Sequence, residues 1–299
     1  MLRYDSVEEL VQAAEKRNRN ISDIVLGDQA QEMGRSPDDI YKQMENNAKV
    51  MEESIAGALQ PNIKSASGLS GGDAYKLYRA IEQGRSLVGA LMDKVLVKAL
   101  AIAESNACMG RIVAAPTAGS CGILPAVLLT FQQEKNIPRT KMVMSLFTAA
   151  AIGMVIAKRA SISGAEGGCQ AECGSAAGMA AAALVEMMGG SPRMASHACA
   201  IALKSVLGLV CDPVAGLVEI PCIKRNAMGA SNALVAAQLA MAGIESLIPV
   251  DEVIDAMKEV GDLLVPSLRE TGEGGLAATP TARKLAQEIF RNDSKNKQL

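Results

Sequence analysis

The chain reads as an all-α protein, and three observations predict it. Of its 299 residues 49% are hydrophobic, yet there is no Trp and only three Phe and four Tyr, so Ala, Leu, Val, Ile and 16 Met must fill the core. Ala and Leu are strong helix formers, whereas the β-branched and aromatic runs that favour strands are missing. No stretch sustains the alternation of a half-buried strand, and apolar residues recur at three- and four-residue spacing along most of the chain. The expected unit is a compact multi-helix domain with buried Ala- and Met-rich helices, in which residues 1–61 form an N-terminal helical arm and residues 62–299 the main body.

Taken in order, Ser6-Val-Glu-Glu9 is a capping box that opens a first helix. Ser36-Pro-Asp-Asp39 opens another, with Pro37 in its first turn, running to about Leu59 and ending at Pro61. From Asn62 to Asp73 the density of Gly and Ser signals a loop. It reads either as a connection between arm and body or as a substrate loop, in which Lys64, Ser65 and Ser67 and Gly-freed N–H groups meet a carboxylate. A long helical pattern spans Ala74 to Cys108, interrupted by Gly84 and Gly89. The turn Pro-Thr-Ala-Gly-Ser-Cys-Gly then feeds an apolar helix that starts near Ile123 or Pro125. A loop entering a helix N-terminus suits an anion, so Thr117, Gly119 and Ser120 are candidate contacts, with plain capping the alternative. Further helices are expected at Thr140–Arg159, Gly174–Met188, Ala195–Val210, Ser231–Gly243, Asp251–Leu263 and Thr281–Phe290.

The net charge of −2 gives no electrostatic footprint for nucleic acid, and the basic clusters at Arg139–Lys141 and in the tail KNKQL read as solvated surface. The N-terminus is amphipathic and acidic rather than signal-like, so a cytoplasmic location is expected. The longest uncharged run, Met142 to Ala157, is shorter than the ~20 apolar residues of a membrane span and reads as a buried helix.

Five of the seven cysteines lie between Ser161 and Asn226. An odd number of cysteines in a reducing compartment argues against a disulfide framework and for metal binding or core packing. Cys169 and Cys173 form C-x3-C, which on a helix puts both thiols on one face. Cys211 and Cys222 fall in CDPVAGLVEIPC, which Pro213 and Pro221 keep from being one regular helix. By thiol count alone the four could close a site for zinc or an iron–sulfur cluster, although the spacing matches no common run of either. Cys108, Cys121 and Cys199 read as core fillers, and His197, the only histidine, reads as a core residue. Glu166 and Glu172 flank the cysteines, where second-sphere support or capping competes with acid–base work.

SISGAEGGCQAE, LVEMMGGSP, LGLVCDPVAGLVEIPCIKRNAM, APTAGSCGILPAV and RETGEGGLA occur in one chain. Together they resemble the α subunit of the iron–sulfur-dependent L-serine dehydratases, or L-serine ammonia-lyases. The resemblance runs from about residue 100 to Gly275 and makes residues 62–299 the expected catalytic domain. It implies a 4Fe–4S cluster held by Cys169, Cys211 and Cys222 with one iron open to substrate, and leaves Cys173 at a position the family does not rely on. It further implies elimination of water from L-serine to give pyruvate and ammonia, with no pyridoxal phosphate. A separate β subunit would bring a Ser- and His-containing substrate loop, which this chain lacks, so the active form is expected to be a hetero-oligomer. On this reading Thr117 to Ser120 contact the substrate carboxylate, with Ser65 and Ser67 weaker candidates. The general base is open, Lys64 and Glu166 being weak candidates. The rival readings are an L-cysteine desulfidase-like lyase and a non-catalytic iron–sulfur or zinc protein that senses oxygen or scaffolds a partner.

Overall fold

The computed structural model describes residues 4–296, so the end of the basic tail KNKQL lies outside the described residues. Among the described residues thirteen α-helices with short 3₁₀ and π turns account for the architecture, and the β pairing is one isolated bridge between Cys211 and Arg269. The all-α expectation is met.

The helices are α1 (Val7–Arg17), α2 (Ile21–Met33), α3 (Pro37–Ala58), α4 (Asp73–Glu82), α5 (Ala90–Ala107), α6 (Ile123–Glu134) and α7 (Arg139–Arg159). They continue with α8 (Gly164–Gly167), α9 (Ser175–Met187), α10 (Pro192–Lys204), α11 (Cys222–Met241), α12 (Val250–Leu263) and α13 (Pro280–Asn296). The fold is built round α9, SAAGMAAAALVEM, every residue of which is buried. Its small side chains let neighbours approach on all sides, and α6, α7, α10 and α11 pack against it. One buried apolar cluster runs from Tyr4 through Phe147 to Met257 and includes Val7, Leu10, Ile21 and Ile24 of the first two helices. Helix α7 is long and apolar enough to cross a membrane by length and composition, but 67% of its apolar window is buried inside the protein. The uncharged run is therefore a core helix, as the sequence predicts.

Several helix starts are capped from far away in the chain. Ser6 and Ser36 cap α1 and α3 locally, accepting from Glu9 N and Asp39 N at 3.1 Å each. Asp251 also accepts from Val7 N at 2.9 Å and Glu8 N at 3.0 Å. Glu186 accepts from Ser22 N at the start of α2, and Glu104 accepts from Asp73 N at 2.6 Å and Ala74 N at 3.2 Å at the start of α4.

The structure differs from the sequence expectation at α2, α8, α10, α11 and the end of α13. Helices α2 and the short α8 are additional, and α13 runs past Phe290 to Asn296. The sequence signal of α2 is Asn20 followed by Asp23, whose carboxylate accepts from Asn20 N at 3.3 Å. The interruption expected at Gly84 and Gly89 divides the Ala74–Cys108 pattern into two helices, because both glycines adopt positive φ and turn the chain between α4 and α5. Helix α10 starts at Pro192 on a Ser191 cap and stops at Lys204, short of Val210. Helix α11 starts at Cys222 rather than Ser231, directly after Pro221.

Candidate active site

Cys169, Cys211 and Cys222 come from three separate segments and lie near enough for their thiols to influence one another, although among the described residues no three His, Cys, Asp or Glu stand as a group that could hold a metal ion. Cys169 precedes the π-helical turn Gln170–Gly174 that leads into α9. Cys211 lies in the extended stretch after α10, where its N–H donates to Leu268 O at 2.9 Å and its carbonyl accepts from Glu270 N at 2.7 Å. Cys222 is the first residue of α11. All three are buried.

Gln170 fixes the first of these segments. Its side chain is fully buried, donates to Met257 O and accepts from Gly208 N, each at 2.9 Å, while its backbone N–H donates to Leu209 O. Arg225, one turn after Cys222, fixes the second by donating to Val210 O at 2.8 Å and to the buried Asp212 carboxylate at 2.9 Å. Asp212 in turn accepts from Leu276 N at 2.8 Å. The TGEGGLA stretch is thus tied to the Cys211 segment.

The thiols feel one another and their acidic neighbours. Burial pushes Cys222 up to about 12, with Cys169 and Glu172 adding to the shift. Burial also raises Cys211 strongly, reinforced by Glu172, Cys169, Glu270 and Cys222. Cys169 is the exception: a hydrogen bond shared with Cys173, Sγ to Sγ at 3.4 Å, holds it below the ordinary thiol range, and the Arg225 guanidinium assists. Cys173 is raised by the same hydrogen bond and by burial.

Glu172 faces the same space. Its Oε1 accepts from Thr117 Oγ1 at 2.8 Å, its Oε2 lies 3.9 Å from Cys211 Sγ, and Thr117 Oγ1 is 3.0 Å from Ser120 Oγ. Burial raises its carboxyl above the usual range, and Glu270 adds to that. Two glycines keep room beside it. A Cβ on Gly164 would fall 2.7 Å from Glu172 Oε2 and 2.8 Å from Cys211 Sγ, and one on Gly119 would fall 3.3 Å from Glu172 Oε1.

The loop bearing Thr117 is clamped from α11. Asn226, fully buried, accepts from Gly122 N at 2.9 Å and donates to Gly119 O at 2.8 Å and Cys222 O at 2.9 Å. Cys121 N and Ile123 N close local turns onto Ala118 O and Ser120 O. The N–H groups of residues 121, 122 and 123 are therefore engaged within the protein.

Of the residues singled out in the sequence, Thr117 donates to Glu172, Ser120 meets Thr117, and Gly119 lies beside the same carboxylate, which in turn touches Cys211. Ser65 and Ser67 pair with each other at 3.1 Å and surround a different carboxylate: Glu219 accepts from Ser67 at 2.8 Å and from Ser70 at 2.5 Å. Lys64 is exposed. Glu166 accepts from Ser161 Oγ at 2.6 Å and lines a separate cavity of about 230 Å³ with Lys258, Asp262 and Arg269. Cys121 and Cys199 are fully buried, Cys108 is half-buried, and His197 Nδ1 accepts from Ser246 N at 3.2 Å. Glu172, Arg225, Asn226 and Glu270 are the site residues that sequence reasoning left in the background. Helical spacing was the available signal: Glu172 is three residues after Cys169, and Arg225 and Asn226 are three and four after Cys222.

The family model described as serine dehydratase alpha chain matches residues 16–277. The chain belongs to the serine dehydratase alpha chain family. Among its serine dehydratase relatives, the "Probable L-serine dehydratase, alpha chain" of Bacillus subtilis is 52% identical, with 96% of this chain and 95% of that protein aligned. The "L-serine dehydratase, alpha chain" of Peptoniphilus asaccharolyticus is 44% identical over 96% of this chain and 98% of that protein. The "L-serine dehydratase TdcG" of Escherichia coli is 47% identical over 62% of this chain, a match that spans 42% of that longer protein.

Proposed function

We propose that the chain is the α subunit of an L-serine dehydratase, a lyase that removes water from L-serine to give pyruvate and ammonia. The observation that carries the reading is the meeting of Glu172, Thr117 and Cys211 beside Gly164 and Gly119, with Cys169 and Cys222 close enough to shift the Cys211 thiol. Family membership supports the same reading.

On this proposal Cys169, Cys211 and Cys222 hold a 4Fe–4S cluster. The donor set suits it: three soft thiols from three segments, with glycine keeping space beside them. When bound, the cluster supplies an open iron that polarises the departing hydroxyl as a Lewis acid.

The chain's own residues do the rest. Thr117 orients the Glu172 carboxyl, and that carboxyl moves a proton at the bound substrate. Asn226 fixes the loop against Cys222, so that substrate groups and thiols keep one geometry. Arg225 holds the Cys211 segment. A separate β subunit completes the site with a Ser- and His-bearing loop, giving a hetero-oligomer in the cytoplasm. Pyridoxal phosphate has no part in the scheme.

The test is pyruvate release from L-serine and L-cysteine by the anaerobically reconstituted α chain mixed with its β subunit. Turnover of serine supports the proposal; turnover of cysteine alone would make the protein a desulfidase. Iron analysis of Cys211→Ala checks the ligands: unchanged iron content refutes the assignment.

A further inference from the structure

Cys173 takes no part in the proposed ligand set, yet its sulfur is 3.4 Å from that of Cys169. We propose that these two are a redox pair, which a peroxide closes into a disulfide whenever Cys169 is free of metal. The inference stands on the two thiols alone and does not depend on which group Cys169 holds.

Residues 169 and 173 lie about one turn apart at the π-helical turn Gln170–Gly174, and an ordinary α-helical turn separates such Cα atoms by about 6 Å. That lies within the range of roughly 4.4–6.8 Å that a disulfide bridges. The sulfurs already touch, and bond formation shortens their separation to about 2 Å. Turning of the two side chains closes the remaining gap, since Gly167 and Gly168 before Cys169 are buried, with Leu264 and Leu209 packed against Gly168. Cys211 faces the Glu172 carboxylate instead, 3.9 Å away.

The chemistry balances with hydrogen peroxide as the oxidant. The Cys169 sulfur attacks one peroxide oxygen, the O–O bond breaks, and a sulfenic acid and one water form. The Cys173 sulfur then attacks the sulfenic sulfur, the S–O bond breaks, and the hydroxyl leaves with the Cys173 proton as a second water. The two sulfurs together lose two electrons and the peroxide gains them. Both residues are almost covered, at 2% and 5% exposure, so peroxide reaches the sulfurs through local opening of the structure around them. The consequence is protective. The disulfide removes Cys169 from metal binding, but a thiol reductant restores it, whereas a sulfenic acid with no neighbouring thiol goes on to the irreversible sulfinic acid.

The full-length chain, prepared free of metal, is treated with hydrogen peroxide, denatured, alkylated and digested for mass spectrometry. The expected product is a peptide containing Cys169 and Cys173, two hydrogens lighter and unalkylated at both, which takes two alkyl groups after reduction. Cys173→Ser is expected to yield Cys169 sulfinic acid under the same treatment, with recovery by reductant lost. Circular dichroism shows whether this variant is folded; if it is not, Cys173→Ala takes its place. Peroxide treatment that leaves Cys173 alkylatable while Cys169 is oxidised, or that links Cys169 to Cys211 or Cys222, overturns the proposal.

Discussion

Thr117 Oγ1 donates to Glu172 Oε1 at 2.8 Å across 55 residues of chain, joining a loop ahead of α6 to the turn ahead of α9. This bond aims one carboxylate oxygen, while the other lies against Cys211. Glu172→Gln keeps the shape and the Thr117 contact but cannot accept a proton. It is expected to lower kcat by about 10²-fold or more with the helical circular dichroism unchanged. Thr117→Val, which releases the carboxylate without removing it, is expected to cost less. Steady-state pyruvate assays on the assembled enzyme read both, and wild-type turnover in Glu172→Gln removes Glu172 from the reaction.

Asn226 satisfies two carbonyls and one N–H with a single side chain. Asn226→Ala leaves Gly119 O and Gly122 N without that partner in a buried setting, at about 1–3 kcal/mol per group. The expected loss is about 3 kcal/mol, read as a lower midpoint in urea unfolding. A change below about 0.5 kcal/mol would show that the clamp is dispensable.

Arg225 and Asp212 form an ion pair in which Asp212 is almost wholly covered. Arg225→Met strands that carboxylate and is expected to destabilise the chain by about 3 kcal/mol or more. The double variant with Asp212→Asn should recover part of the loss. No recovery means that the arginine acts through its bond to Val210 O alone.

Lys98 is pushed down to about 8 by burial, with Lys94 also opposing its charge and Glu134 favouring it. The folded chain therefore releases this proton at lower pH than the unfolded chain. Between about 8 and the ordinary lysine value the unfolded state binds more protons, so the contribution of Lys98 to stability rises with pH there. Below about 8 both states are protonated and the whole penalty is present. Lys98→Met is expected to stabilise the chain by about 1 kcal/mol near neutral pH, after allowance for solvent screening. The gain should shrink as pH rises above 8, as thermal melts across that range would read; a constant gain would assign it to packing.

What the sequence made legible follows from how local each signal is. Ser6, Ser36 and the Gly-Ser loop act within a few residues, and they marked α1, α3 and the break before α4. The thiols were found because cysteines crowd one stretch and the motifs around them are long. Glu172 was harder to rank. Its importance comes from Thr117 and Cys211, which lie 55 and 39 positions away. Arg225 and Asn226 lie inside α11, ahead of the start expected at Ser231. Their side chains spend their polarity on loops that no local pattern relates to α11. Helix α2 carries the Asn20–Asp23 signal, yet its first turn also meets Glu186, which arrives from α9.

Helix α13 packs against the short 3₁₀ turns Val214–Gly216 and Gly275–Ala278, rather than against α9 and its neighbours. Those turns belong to the same strip of chain as Cys211, Asp212 and the TGEGGLA stretch. Helix α13 therefore braces the segment between Cys211 and Cys222. Local unfolding of α13 alone would loosen that segment while α9 and the helices around it stay packed.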